Sequence, residues 1–368
     1  MMEIIVRKND LVKELFLVQG IVERKNSIPI LSNVLCEAKG SELRISATDL
    51  DVSLRCGCAA QVVKEGRVTL GAKKLHEIAR ALPDSDVHLK LLEDAWTEIR
   101  CERSRFKVAG LPAEDFPSLP EVHRGKGTEV PAEVLRALLA RTSFAITAED
   151  ARYYLAGALL LLEKDGASMV STDGHRLSYA RSKASLPVRE PVRALVPRKA
   201  IGELTRLLEG EETATFQEVD NHLVFGVGGR VLASKKIEGQ FPAFEKVISV
   251  SGDKVVKLPR EALTAAIRRV SLLSSERSRA VRLGLESGQL DLKAQSPDLG
   301  EARESLSVDY DGQAVEIGFN AQYLLDFLAV AGTESVELQL RDAESQGLLQ
   351  PAGEAAVEHR YVVMPMRL

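Results

Sequence analysis

The sequence predicts an α+β fold built three times over, and three recurrences carry that expectation. Asp49, Asp173 and Asp298 each follow an alternating apolar segment and lie 124 and then 125 residues apart. Phe116-Pro117 recurs as Phe241-Pro242 at a spacing of 125, and Pro365 lies 123 beyond Pro242. Between these marks, a longer and a shorter amphipathic segment recur in the same order.

Each unit opens on the longer segment, residues 10–22, 132–144 and 260–273, whose apolar residues fall at helical spacing. Alternating strands follow, marked by Leu43 and Ile45, by Met169 and Val170, and by Leu290, Leu292 and Ala294. They run into Thr48-Asp49-Leu50, Thr172-Asp173-Gly174 and Pro297-Asp298-Leu299. The shorter helix comes next, at 73–82, 198–208 and 320–330. Strands such as 224–227 and 361–364, set apart by glycine-rich turns such as Gly226-Val227-Gly228-Gly229, close each unit. They argue for antiparallel sheets with helices on one face. A period near 120 residues is far longer than a solenoid repeat, so each unit should own a core. Polar, glycine-containing stretches near 123–127 and 249–253 divide the chain into expected domains 1–125, 126–251 and 252–368.

Of the 368 residues 45% are hydrophobic, ample for three cores, yet no apolar run approaches the roughly 20 residues of a membrane helix. Residues 1–10 mix charges with apolar groups and lack a signal peptide's apolar stretch. A cytoplasmic protein with no membrane partner is expected. Cys36, Cys56, Cys58 and Cys101 all fall in the first unit. Cys56 and Cys58 point the same way on a strand, but no second ligand pair completes a metal site, so buried thiols are expected.

A formal charge of −4 and a pI near 6.0 speak against a simple basic nucleic-acid binder. The distribution differs from the total. The helical segments with their flanks (7–25, 72–82, 131–153, 197–208, 259–279 and 319–330) hold 19 Lys/Arg against 11 Asp/Glu, a charge of +8 that leaves −12 for the rest. If symmetry gathers these helices on one face, that face is a positive surface for phosphates.

Catalytic signals are sparse. His175 sits in the tight run Ser171 to Leu177, and an Asp173–His175 dyad would be the enzyme alternative, but no G-x-S-x-G elbow supplies a nucleophile. Gly226 to Arg230 lacks the Lys-Ser/Thr of a phosphate loop and suits a hairpin turn. Neither a metal nor a cofactor is expected.

Several motifs together resemble the bacterial sliding clamp family, the β subunit of DNA polymerase III. They are Ile28-Pro29-Ile30-Leu31, Thr48-Asp49-Leu50, Arg103-Ser104-Arg105-Phe106, Asp115-Phe116-Pro117, Arg152-Tyr153-Tyr154-Leu155, Thr172-Asp173-Gly174-His175-Arg176-Leu177, Val196-Pro197-Arg198-Lys199, Phe241-Pro242 and Val362 to Leu368. The resemblance implies three equivalent domains per chain and a head-to-tail homodimeric ring, helices lining the hole and sheets outside. It implies a non-catalytic processivity factor on double-stranded DNA, partnered by the polymerase α subunit, the clamp loader, other polymerases and repair proteins.

By the same resemblance, DNA contacts fall to Arg24, Lys25, Lys73, Tyr153, Tyr154 and Arg198, with Glu149 where some relatives carry Gln. A pocket for short linear motifs falls to Arg152, Leu155, Thr172, Gly174, His175, Arg176, Leu177, Pro242, Lys246, Val247, Met364, Pro365, Met366 and Arg367, with Asn320 and Tyr323 at its side. Ala156 and Gln346 depart from the family's common Asn and Pro. Dimer contacts fall to Lys74, Ile78, Leu82 and Phe106 on one edge and to Leu272 and Leu273 on the other.

Overall fold

The computed structural model describes residues 2–22, 28–120, 127–147, 150–249, 251–275 and 278–367. Seven helices are seen among them: α1 Lys8–Val18, α2 Ala72–Ala81, α3 Ala132–Thr142, α4 Arg198–Leu207, α5 Glu245–Ile248, α6 Arg260–Val270 and α7 Ala321–Val330. Several end earlier than apolar periodicity suggests. α6 stops at Val270 and a 3-10 turn, Ser271–Leu273, carries the last two leucines, while α3 passes into the 3-10 turn Ser143–Ala145. The core-facing stripe sets the true length: Leu263, Ala266, Ile267 and Val270 are the buried residues of α6, and the apolar residues beyond them leave that face.

The chain packs as two compact units, residues 1–133 with 199–236, and 134–198 with 237–368. In the first, one sheet path runs through strands Thr128–Pro131, Thr213–Val219, His222–Val227, Arg230–Lys235, Val52–Lys64, Glu3–Arg7, Asp86–Leu91, Thr97–Cys101 and Ser104–Val108. Strand Arg230–Lys235 joins Val52–Lys64 through the pairs Val231↔Arg55, Leu232↔Leu54, Ala233↔Ser53 and Ser234↔Val52. A buried ion pair backs this joint, the Arg230 guanidinium donating to both Glu14 carboxylate oxygens at 2.9 and 2.6 Å. The hairpin before it turns at Gly228 and Gly229, both at positive φ, as the glycine run predicted.

In the second unit an eight-stranded path runs through Val192–Pro197, Gly157–Glu163, Gly166–Thr172, Arg176–Lys183, Val357–Val363, Gly347–Pro351, Ser335–Leu340 and Lys254–Pro259. A four-stranded sheet follows the order Gly300–Ser307, Gln289–Ser296, Ala280–Glu286, Val315–Asn320. Phe319, Phe327 and Tyr361 anchor its larger core. A second cluster gathers Leu155, Leu177, Phe241, Phe244 and Val362.

The joint between strands Arg176–Lys183 and Val357–Val363 has the register of the first joint. Arg360 faces Tyr179 as Val231 faces Arg55. Arg55 and Tyr179 are 124 residues apart, Val231 and Arg360 129, because a longer connection precedes the last strand. This corrects the sequence alignment of Pro365 with Pro242: Met364 is the counterpart of Lys235, and Pro365 of Lys236. Asp298 is corrected too. Lys293 faces Arg282 as Ser46 faces Leu35 and Val170 faces Leu159, so Gln295, two residues on, is the counterpart of Thr48 and Thr172. Five residues separate the paired Gln295 and Glu301 where four separate Thr172 from Leu177. The third turn is thus one residue longer, and Ser296, not Asp298, takes the place of Asp173.

All four cysteines are free thiols. Burial pushes Cys36 and Cys58 up to about 12, which makes them poor nucleophiles and poor metal ligands at neutral pH.

Candidate functional site

The run Thr172 to Leu177 folds into a side-chain-capped turn. Thr172 Oγ1 accepts from Gly174 N–H at 3.0 Å, and Asp173 Oδ1 accepts from the N–H groups of His175 and Arg176 at 2.9 and 3.0 Å. Gly174 sits at φ +87°, and a Cβ there would lie 2.5 Å from an Arg152 guanidinium nitrogen, so only glycine lets Arg152 close over the turn. The turn thus presents His175 outward.

The C-terminal segment lies alongside. Met364 N–H donates to His175 O at 2.9 Å, and Met366 N–H to Gly318 O at 2.8 Å, which ties the tail to two sheets of its unit. Met364 is 45% exposed beside the exposed His175. Leu155, Leu177 and Val247 belong to one apolar cluster under this surface, with Pro242 and Lys246 exposed above. Gln346, one of the two departures, donates its amide to Val247 O at 2.8 Å and so braces that wall. Pro365, Met366 and Arg367 line a cavity of about 540 Å³ with Arg282, Glu316 and Glu344.

Arg176 has a different place from the other turn residues. Its guanidinium is nearly buried, bonding Asp173 at 3.0 Å, Asp326 at 2.5 Å and Phe144 O at 2.7 Å, and it stacks 4.3 Å from the Tyr323 ring. It therefore fixes the turn to α7 and supports the site from below. Asn320 caps the same helix, accepting from Gln322 N–H. Deeper still, Ser178 Oγ lies 3.0 Å from His359 Nε2. Burial, and then the Arg141 charge, push His359 down to about 3.

The nucleic-acid candidates are surface groups. Lys73 is exposed on α2, 3.9 Å from a Glu77 that also binds Lys74 at 2.6 Å. Arg198 opens α4, exposed, its N–H bonded to Ala156 O at 2.9 Å. Tyr153 and Tyr154 lie in the 3-10 segment Asp150–Leu155. The turn leaves Tyr153 60% exposed while Tyr154 packs on the apolar cluster, and the two tyrosine rings meet edge to face at 5.8 Å. Arg24, Lys25 and Glu149 lie outside the described residues.

Of the candidate dimer contacts, Leu272 is 75% and Phe106 37% exposed, Leu273 is half-buried and Lys74 exposed. Ile78 and Leu82 retain 8% and 4%, because they belong to the core side of α2 and its end. Sequence reasoning missed the feature that most favours association: among the described residues, both Ser104–Val108 and Gly300–Ser307 close their sheet orders with a free edge. No signal in the sequence reports them, because the joints that define them are backbone pairings.

Comparison with known proteins settles the family. Models of the N-terminal, central and C-terminal domains of the DNA polymerase III beta subunit match residues 2–120, 129–243 and 245–367. The chain belongs to the DNA polymerase III β subunit family. It is 41% identical to the beta sliding clamp of Pseudomonas putida and 38% identical to that of Caulobacter vibrioides, each over the whole of both chains. It matches the crystal structure of the DNA polymerase III subunit beta from Pseudomonas aeruginosa at a TM-score of 0.93 and 38% identity, and a griselimycin-bound sliding clamp from Bartonella birtlesii at 0.94 and 34%, both covered fully. The fold is the three-domain sliding clamp fold, mixed helix and sheet. The chain is a DNA polymerase processivity factor and not an enzyme, so the Asp173–His175 dyad is a turn and not a catalytic pair.

Proposed function

We propose that two copies of this chain join head to tail into a ring around duplex DNA, with domains 1–125, 126–251 and 252–368 as the repeating unit. The observation that carries this reading is the repeated joint. A closing strand of one repeat pairs with the strand after the Thr-Asp turn of the repeat before it, twice and in one register. The same rule leaves two unmatched edges among the described residues, Ser104–Val108 and Gly300–Ser307. Transferring the register pairs Arg105 with Arg303, Phe106 with Ala302, Lys107 with Glu301 and Val108 with Gly300 of a second copy. Phe106 then meets an apolar partner and Lys107 an opposite charge, as cross-strand pairs favour. The two arginines are each neutralised at home, Arg105 by Glu98 and Arg303 by Asp291. Such an interface is heterologous, and closing it after two copies gives a finite ring in which both of these edges are paired.

On the DNA, Lys73 and Arg198, with Arg24 and Lys25, supply sequence-blind phosphate attraction, and the exposed Tyr153 ring can stack on an unpaired base. Weak contacts suffice for a closed ring, and they permit sliding. The surface of His175, Met364, Leu155, Leu177 and Val247 takes short motifs of polymerases, clamp loader and repair proteins, its thioethers adapting to several apolar anchors. The setting is the cytoplasm, on the nucleoid; no described helix is long and apolar enough to cross a membrane.

A charge swap tests the ring. Lys107→Glu should shift the chain toward monomer in sedimentation equilibrium, and adding Glu301→Lys should restore the dimer. A dimer indifferent to both changes overturns the proposed register.

A further inference from the structure

The Thr-Asp turn of the first repeat copies that of the second down to its hydrogen bonds. Thr48 Oγ1 accepts from Leu50 N–H at 3.0 Å, and Asp49 Oδ1 from the N–H groups of Asp51 and Val52 at 2.9 and 2.6 Å. Leu50 has φ +81° where Gly174 has φ +87°. The strand after the joint docks in the same way too, Lys235 N–H donating to Asp51 O at 2.8 Å as Met364 N–H does to His175 O at 2.9 Å. Beside this turn lies a groove of about 320 Å³, walled by Thr48, Leu50, Val52, Pro117, His222 and Lys235. Thr48, Leu50, Val52, Pro117 and Lys235 are the repeat counterparts of Thr172, Gly174, Arg176, Pro242 and Met364.

We infer that the chain carries a second, latent copy of the peptide groove at the first joint, held closed to apolar anchors by Leu50 and by the Asp51–Lys235 bridge. This rests on the reading of the His175–Met364 surface as a peptide site. Three of the differences between the copies act against an apolar ligand. At the crest of the turn the bare Gly174 becomes Leu50, whose side chain, 46% exposed, stands on the groove wall. A leucine in the left-handed region carries a strain that glycine does not. Where the second joint offers the His175 imidazole and the Met364 thioether, the first has Asp51 and Lys235, whose Nζ and Oδ1 lie 3.0 Å apart. An entering Leu or Phe side chain would strip water from that ion pair with no polar group to replace it. The apolar, polarisable wall that suits several anchors is therefore exchanged for a charged bridge. One chain holds two equivalent turns and opens one of them.

The experiment is a calorimetric titration of the full chain with a Gln-Leu-Asp-Leu-Phe peptide, read as sites per chain. Wild type should take one peptide, and Met364→Ala should weaken that site. Leu50→Gly with Asp51→His and Lys235→Met should take two, and adding Met364→Ala to the triple variant should leave the new site tight. Wild type that takes two equal peptides, or a folded triple variant that still takes one, overturns the inference. Wild type that takes none overturns instead the peptide-site reading beneath it, and the triple variant then decides alone whether the first joint can be opened.

Discussion

Replacing Leu272 with aspartate should break the ring while leaving the protomer folded. Leu272 is 75% exposed at the end of α6, so most of its side chain is available to an interface and little of it to the core. Burying a whole leucine side chain gives ~1.5–3 kcal/mol, and three quarters of that is ~1–2 kcal/mol per interface. A two-membered ring has two such interfaces, so removing this apolar burial alone weakens the dimer by ~2–4 kcal/mol, roughly 30- to 1,000-fold in dissociation constant. An unpaired carboxylate in each interface adds its desolvation cost, so ~30-fold is a lower bound for Leu272→Asp. Leu273 is half-buried, so the same change there would mix loss of dimer with loss of fold. Sedimentation equilibrium measures the constant, and circular dichroism with thermal unfolding checks the protomer. An unchanged constant in a folded Leu272→Asp chain would remove this residue from the interface and refute the area argument.

Neutralising Lys25, Lys73 and Arg198 together should weaken association with a primed DNA junction and flatten its salt dependence by ~0.9 in log–log slope for each phosphate no longer neutralised; equal slopes would count against the basic-helix reading. Met364→Ala and His175→Ala should each lower peptide affinity by ~1–4 kcal/mol in fluorescence anisotropy with dimer and melting transition nearly intact; affinity that falls only in proportion to unfolding would return both to a structural role. His359 should make the fold acid-sensitive. Its imidazole, held down to about 3 by burial and by Arg141, is neutral in the native state, whereas the unfolded chain takes up a proton below its ordinary value of 6.5. The stability it contributes is complete above pH 6.5 and is lost as pH falls toward 3, so urea midpoints should drop across that window and His359→Asn should flatten the drop.

Much of the fold was legible because repetition amplifies weak signals. Apolar periodicity located the six longer helices, and the recurring Thr-Asp turn marked the repeat. Offsets counted along the chain erred wherever a connection changed length: the longer link before Val357–Val363 displaced the counterpart of Lys235 from position 358 to Met364, and the pairing of the third repeat moves that of Asp173 from Asp298 to Ser296. Backbone pairing, which sequence spacing does not report, fixes those equivalences. Side-chain direction was the other blind spot. Ile78 and Leu82 were placed at the interface by resemblance alone, and their burial in the protomer follows from where the core stripe of α2 falls. Arg176 read as a pocket wall like its neighbours, but two carboxylates far apart in sequence draw it inward. The free edges were invisible, since an edge is defined by the strand that is not beside it.

The ring itself can be tested with one pair of cysteines. Residues directly opposite in an antiparallel ladder have Cα atoms about 4.5–5.5 Å apart, within reach of a disulfide. Phe106→Cys and Ala302→Cys in one chain should therefore oxidise to a single covalent species of two chains on a non-reducing denaturing gel, both interfaces closed and no higher ladder. A ladder of longer oligomers would show an open head-to-tail filament, and chains that stay single would contradict the strand-edge joint on which the account rests.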